Sequence, residues 1–226
     1  MKILSIGEII YNNNLDITII TENELATYPH LNSYKYIIIN GGDGTIRRVI
    51  GILHSLTHHA SFILNPTGSF NVIAKLHKVS PINKVLFSLE NNEKIKTNQQ
   101  NYYKINNDFF LFSAGNMGDL QHIFLAETLR FGFLKKGILK YIFSFFFLLP
   151  LHIIMTPFML LNSQRFFIFT PFSFLRKFGS FYGKIESPII FNLENSYNLI
   201  ELDGDIVTFK ESILEVKHAG KINILQ

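Results

Sequence analysis

The stretch Tyr36-Ile37-Ile38-Ile39-Asn40-Gly41-Gly42-Asp43-Gly44-Thr45 decides the fold. Its first four residues form a continuous apolar run, as expected of a strand buried on both faces of a parallel sheet. Asn40 to Thr45 is a glycine-rich turn. Ile46 to Leu56 then sets Ile46, Val49, Ile50 and Leu53 on one helical face. In a parallel sheet, ligands bind outside the carboxyl ends of the strands. Glycines there allow positive φ and close backbone approach. The turn's N–H groups and the start of the helix form an anion site, and Thr45 is placed to cap that helix. Asp43 needs a separate reason, because a carboxylate repels phosphate. It makes sense if it serves Mg²⁺ or orients a polar network. An ordinary glycine-rich βα turn would carry the same letters.

Outward from this turn the alternation continues. Leu15 to Thr21 reads as a strand after the turn-prone Asn12-Asn13-Asn14. Met1 to Tyr11 fits either a short amphipathic helix or a first strand. Ser61 to Leu64 is another buried strand, Asn71 to Leu76 starts a helix, and Pro81 to Glu90 reads as the next. The expected fold class is α/β, a domain with a mostly parallel sheet over residues 1–94. From about Ile95 the texture becomes β-rich. Tyr102 to Ile105 and Phe109 to Phe112 read as a hairpin across Asn106-Asn107-Asp108. Phe124 to Phe147 is helical in character. Short strands return at Ile189 to Asn192, Leu199 to Leu202, Ile213 to Lys217 and Ile222 to Leu225. Residues 95–226 are expected to form a sandwich-like second domain with a Phe-rich helical insertion, the last strand being able to return to the first domain.

The 226 residues suffice to bury a core. Cysteine is absent, which excludes a disulfide scaffold, thiol catalysis and thiolate metal sites. Fifteen of the 23 phenylalanines fall between Leu120 and Ile185, with eight Lys/Arg against one acid, Glu127. That basic, aromatic segment, 120–185, suggests contact with a membrane surface or an anionic amphiphile. Such a run is poor at tracking phosphates, so no nucleic-acid partner is expected. Tyr141 to Leu161 lacks charge and is long enough to span a bilayer, though it holds Pro150 and Pro157. The favoured reading is a buried or membrane-facing helix. The apolar start is short and broken by Glu8, so a signal peptide is not expected and a cytoplasmic address is.

The turn is no Walker loop, since no Gly-Lys-Ser/Thr follows. The string Gly41-Gly42-Asp43-Gly44-Thr45 resembles nucleotide-using kinases of the lipid kinase and NAD kinase type. Asn65-Pro66-Thr67-Gly68-Ser69-Phe70-Asn71-Val72-Ile73-Ala74 separates the two. It is similar to the P-x-G-T/S-x-N-x-x-A element of the diacylglycerol kinase catalytic-domain family, which includes bacterial lipid kinases and sphingosine kinases. Phe109 to Asp119 resembles the family's segment between domains, and Arg130 to Tyr141 its K/R…G…Y helix. Leu202-Asp203-Gly204-Asp205 resembles its late D-G-E motif, followed by Ile213 to Leu225, similar to the family's closing strand pair.

The resemblance implies an ATP- and Mg²⁺-dependent kinase acting on a lipid hydroxyl, diacylglycerol or a related alcohol. It places nucleotide contacts at Gly41, Gly42, Gly44, Thr45, Gly68, Ser69 and Asn71, with Thr21 near the base or ribose. Asp43 would serve the metal and a polar network, Asp205 would be the general base, and Asp203 the first acid of its motif. Asp205 stands where the family has Glu, and a plain hairpin turn would also read Asp-Gly. The family's N-P-x-S-G strand and its structural-metal residues are not visible. The alternative is therefore a lipid- or nucleotide-binding remnant without turnover, and a less favoured one is an NAD kinase. Expected partners are the lipid and a membrane surface, with a peripheral location and a homodimer as a possibility. His54 and His58 share a helical spacing that can hold a metal, but a surface helix end is the plainer reading. Arg47-Arg48 read as a solvated helix face.

Overall fold

The computed structural model describes residues 2–8, 10, 12, 14–56, 60–116, 142–143, 146, 149–150, 153–154, 157, 161–162 and 164–226. The expected helix over 124–147, the family-like helix over 130–141, and His58 and His59 lie wholly or largely outside them. Among the described residues no helix is long and apolar enough to cross a membrane.

The chain forms two compact units, Met1–Tyr102 with Ala219–Gln226, and Tyr103–His218. The first is mixed α/β with a mostly parallel sheet. Its strands are β1 (Lys2–Ile6), β2 (Asp16–Ile20), β3 (Tyr36–Gly41), β4 (Ser61–Pro66), the start of β5 (Thr97–Ile105) and the end of a long last strand, Ile213–Leu225. The N-terminal segment is therefore a strand rather than a helix. The order is β2-β1-β3-β4-last strand-β5, and its first four pairings are all parallel. Helix α1 (Asp43–Leu53) follows β3, and α2 (Val72–His77) and α3 (Ile82–Glu90) follow β4.

Apolar periodicity explains how these helices pack. α1 buries Ile46, Val49, Ile50 and Leu53. α3 lays Val85, Leu86 and Leu89 against Ile3, Ile38, Ile63 and Leu225 of the sheet. Each fully buried aliphatic side chain contributes about 1.5–3 kcal/mol, so a strand such as Ile37-Ile38-Ile39, with no exposure at all, is firmly committed to the sheet's interior.

The second unit is a second, β-rich body. The end of β5 pairs antiparallel with β6 (Asp108–Phe110) in the expected hairpin. Further strands are β7 (Ser113–Gly115), β8 (Phe167–Phe169), β9 (Lys177–Phe178), β10 (Phe181–Tyr182), β11 (Ile189–Asn192), β12 (Asn198–Leu202) and β13 (Asp205–Phe209). One sheet runs β13-β12-β7-β8-β10-β9. β11 pairs with the start of the last strand, β14 (Ile213–Leu225). Ile105, Phe110, Phe191, Leu214 and Val216 share one core with Ala114, Ile168, Ile200, Leu202 and Phe209.

Residues 213–225 were expected to form a strand pair and instead form one strand of 13 residues. The polar and small residues Lys217-His218-Ala219-Gly220-Lys221 read like a turn. Gly220 is there for room: a Cβ would lie 2.7 Å from the Tyr102 hydroxyl. A glycine inside a strand can mark such close approach rather than a turn.

Candidate active site

The carboxyl ends of β3 and β4 lie in register, Asn40 beside Asn65 and Gly41 beside Pro66. Two asparagines lock this edge. Asn65 Nδ2 donates to Asn40 Oδ1 at 2.8 Å, and Asn40 Nδ2 donates to the Ile6 carbonyl at 2.9 Å and to Ser5 Oγ at 3.1 Å. The ends of β1, β3 and β4 are thereby held level. Neither asparagine is among the residues expected to line the site, although an asparagine at the same place after each buried strand is a signal of such a lock.

The glycines are required by neighbouring protein as well as by any ligand. A Cβ on Gly41 would sit 2.5 Å from Thr45 Cβ. A Cβ on Gly68 would sit 2.6 Å from Gly42 Cα and 2.8 Å from Asn71 Oδ1. The two glycine turns are thus in van der Waals contact. Gly68→Ala is expected to force them apart, costing about 1–3 kcal/mol by overpacking. A fall in melting temperature with weakened nucleotide binding would check this; an unchanged protein would show that the contact is slack.

α1 begins at Asp43, with Gly42 as N-cap and no side-chain cap. Thr45 is therefore the third helical residue and not the cap the sequence suggested. Its Oγ1 accepts from Arg48 Nη2 at 3.3 Å, while Arg48 Nε bonds Glu22 Oε1 at 2.5 Å. Arg47 is buried, which corrects its reading as part of a solvated face. Gly44 and Thr45 are half-buried and Ser69 is exposed.

Asp43 itself is buried. Its Oδ2 accepts from Val72 N–H at 2.7 Å and its Oδ1 from Ile73 N–H at 3.0 Å. These are the first two amides of α2, which intrahelical bonding leaves unpaired. One helix's first-turn carboxylate therefore caps another helix and ties the two glycine turns together. Burial pushes the Asp43 carboxyl above its ordinary value, against the downward pull of the two amides and Lys75. Asn71 precedes α2 at φ +50°. Its Nδ2 donates to the Gly68 carbonyl at 2.7 Å. That bond fixes the amide's orientation and leaves Oδ1 a buried acceptor with no partner. At the end of β2, Thr21 donates through N–H and Oγ1 to Glu24 Oε2, at 2.7 and 2.8 Å. The bonds from Thr21 hold the Glu24 carboxyl below its usual value.

In the second unit, Asp203-Gly204 is a hairpin turn between β12 and β13, pairing Leu202 with Asp205. Its φ values, +50° and +92°, are those a two-residue hairpin needs. Asp203 has a further use. It is buried and accepts three backbone bonds, from Leu111 at 2.6 Å, Phe112 at 2.9 Å and Ser113 at 2.9 Å. Beside it, buried Glu201 accepts from Ser113 Oγ at 2.9 Å and from the Gly204 amide. Asp205 opens β13 and is half-buried.

A nucleotide fits the first unit: two touching glycine turns end a parallel sheet beside an unsatisfied acceptor. A metal held by the protein alone fits less well. Asp43's oxygens are both engaged, and no group of three His, Cys, Asp or Glu that could hold an ion occurs among the described residues. His54 Nδ1 lies 2.9 Å from the Gly51 carbonyl.

Residues 16–99 match the model of the diacylglycerol kinase catalytic domain. Over this segment the chain is similar to that family. A candidate diacylglycerol kinase from Bacillus anthracis str. Sterne superposes over 99% of this chain and 96% of its own, at 11% identity and a TM-score of 0.53. That agreement shows the diacylglycerol kinase-like fold. A second diacylglycerol kinase from the same organism aligns over 58% of this chain, at 18% identity and a TM-score of 0.41. The match spans just over half, 55%, of that protein's length. An NAD kinase from Archaeoglobus fulgidus, in complex with ATP, aligns over 51% of this chain with a TM-score of 0.33. No curated protein matches the sequence.

Proposed function

We propose that this protein transfers the γ-phosphoryl group of ATP to a lipid hydroxyl, that of diacylglycerol or a related alcohol. The observation that carries the reading is the Asp43 bridge. It sets two glycine turns side by side at the carboxyl ends of adjacent parallel strands, where such sheets bind ligands. Bound ATP would supply the phosphoryl group. Gly41, Gly42, Gly44, Thr45, Gly68 and Ser69 line its phosphates. Asn71 Oδ1 accepts from a nucleotide hydroxyl or amino group, and Thr21 lies on the ribose or base side. Asp205 takes the lipid hydroxyl's proton as its oxygen bonds to phosphorus and the bond to the β–γ bridging oxygen breaks, with ADP leaving. Asp203 positions the turn that carries Asp205.

A second reading has its own support. With Asp in place of Glu, the Asp205 carboxylate reaches roughly 1.5 Å less far, and misplacement by about 1 Å can cost a hundredfold in rate. A protein that binds nucleotide and lipid without turnover is the rival.

Incubation of the full chain with γ-labelled ATP and a panel of lipids separates them. The kinase reading expects label on a lipid, and a loss of about 10²–10⁴-fold in Asp205→Asn with nucleotide binding retained. Nucleotide binding without label on any lipid would establish the rival. Label appearing on NAD would replace both by an NAD kinase.

A further inference from the structure

The edge of the second unit's sheet has two unlike faces. Strand partners share a face. Through the registers Phe178–Phe181 and Phe181–Phe167, three phenylalanines from β9, β10 and β8 therefore stand in one row. The opposite face carries Tyr182 and Ile168, which pack into the core. The phenylalanine face continues outward. Phe169 meets Phe172 with ring centroids 5.1 Å apart, and Phe172 meets Phe174 at 5.6 Å. Phe174 is 86% exposed, Phe178 63% and Phe172 47%.

These rings are held outward by a built turn. Pro171 lies in a short 3₁₀ turn, Thr170–Phe172, and Leu175 N–H bonds the Phe172 carbonyl at 2.9 Å. That turn sits on Gly183, where a Cβ would meet the Phe172 and Leu175 carbonyls at 2.1 and 2.3 Å. Exposing rings this large costs free energy, and a fixed turn that does so marks an interaction surface.

The charges around it select the partner. Residues 161–188 hold four cations (Arg165, Arg176, Lys177 and Lys184) against one acid, Glu186. Glu186 is already bonded to Lys184 at 2.9 Å and to Arg176 at 3.2 Å. Lys177 pairs with Tyr182 at the edge strand and rests over its ring at 5.1 Å, on the face opposite the row. The described helical residues Ile142, Phe143, Phe146, Ile153 and Ile154 of the same unit are exposed and apolar as well.

We infer that the Phe172, Phe174 and Phe178 surface, flanked at the sheet edge by the exposed cations Arg176 and Lys177, docks on the surface of an anionic lipid bilayer. The rings enter the acyl boundary and the cations meet the headgroups. This binding is independent of any phosphoryl transfer.

Co-sedimentation of the full chain with phosphatidylcholine vesicles, with and without phosphatidylglycerol, tests it. Binding is expected to the anionic vesicles and to weaken with salt. Phe174→Ser with Phe178→Ser should lower partitioning by about tenfold or more. Arg176→Gln with Lys177→Gln should lower it about fivefold per charge on anionic vesicles alone. All four side chains are exposed, so melting curves should match the parent. If the phenylalanine pair failed to fold, the charge pair would still decide the matter. The proposal is overturned if the parent shows no preference for anionic vesicles, or if well-folded variants bind as the parent does. It is also overturned if the parent is a dimer that the phenylalanine substitutions split, because a second copy then covers the face.

Discussion

Asp203→Ala is expected to lower the stability of the protein by about 3–5 kcal/mol. Asp203 is buried and answers three consecutive amides, those of Leu111, Phe112 and Ser113. Each buried donor left without a partner costs roughly 1–3 kcal/mol. Alanine also tolerates the left-handed backbone at this position, φ +50°, poorly. Asp203→Asn separates the causes. Asparagine suits a left-handed turn, and its single oxygen can keep the two bonds that reach Oδ1 while losing the one from Leu111. An intermediate loss is therefore expected. Urea unfolding of the three proteins measures this. If alanine and asparagine fell equally, or neither fell, the carboxylate would not be what organises residues 111–113.

Asp43→Ala should rank second, at about 2–4 kcal/mol, because two α2 amides lose their acceptor. Nucleotide affinity should fall with it, since the second glycine turn is then held to the first by the Thr67 N–H bond to the Gly41 carbonyl, 3.2 Å, and by the Gly42–Gly68 contact without the carboxylate bridge. The pH dependence has a definite sign. Burial raises the Asp43 carboxyl in the folded protein. In the window between its ordinary value and the raised one, the folded state holds a proton that the unfolded state has lost. Stability from this group is present below that window and declines as pH rises through it. Unfolding at a series of pH values should show this decline in the parent and not in Asp43→Asn. A steeper dependence in the asparagine variant would contradict the assignment.

The first unit was legible because its signals are local. Ile37-Ile38-Ile39 and Phe62-Ile63-Leu64 are continuous buried runs, and no other element accommodates them as well as a parallel strand. The two glycine turns could be found because each follows such a run. What those turns do to each other was not legible. The Asp43 bonds to Val72 and Ile73 span 29 and 30 residues, and those from Asp203 to residues 111–113 span 90 to 92. No periodicity or turn chemistry encodes partners at that distance. The same limit explains the last strand. Gly220 looked like a break, because the ring it accommodates belongs to Tyr102. Asp203-Gly204 was readable as a hairpin turn, but its acid's buried role depends on a strand far away in the sequence.

The last strand has a consequence for how the chain reaches its native state. Asn223 and Ile224 lie beside Ser61 and Phe62 in the first sheet, although they come about 160 residues later in the chain. Ring closure over such a distance must precede the reward of pairing, which slows the search. Until it happens, the outer edge of β4 is an open template of unpaired amides and carbonyls. Refolding from denaturant should therefore be slow, and crowded refolding mixtures should lose material to aggregates seeded at that edge.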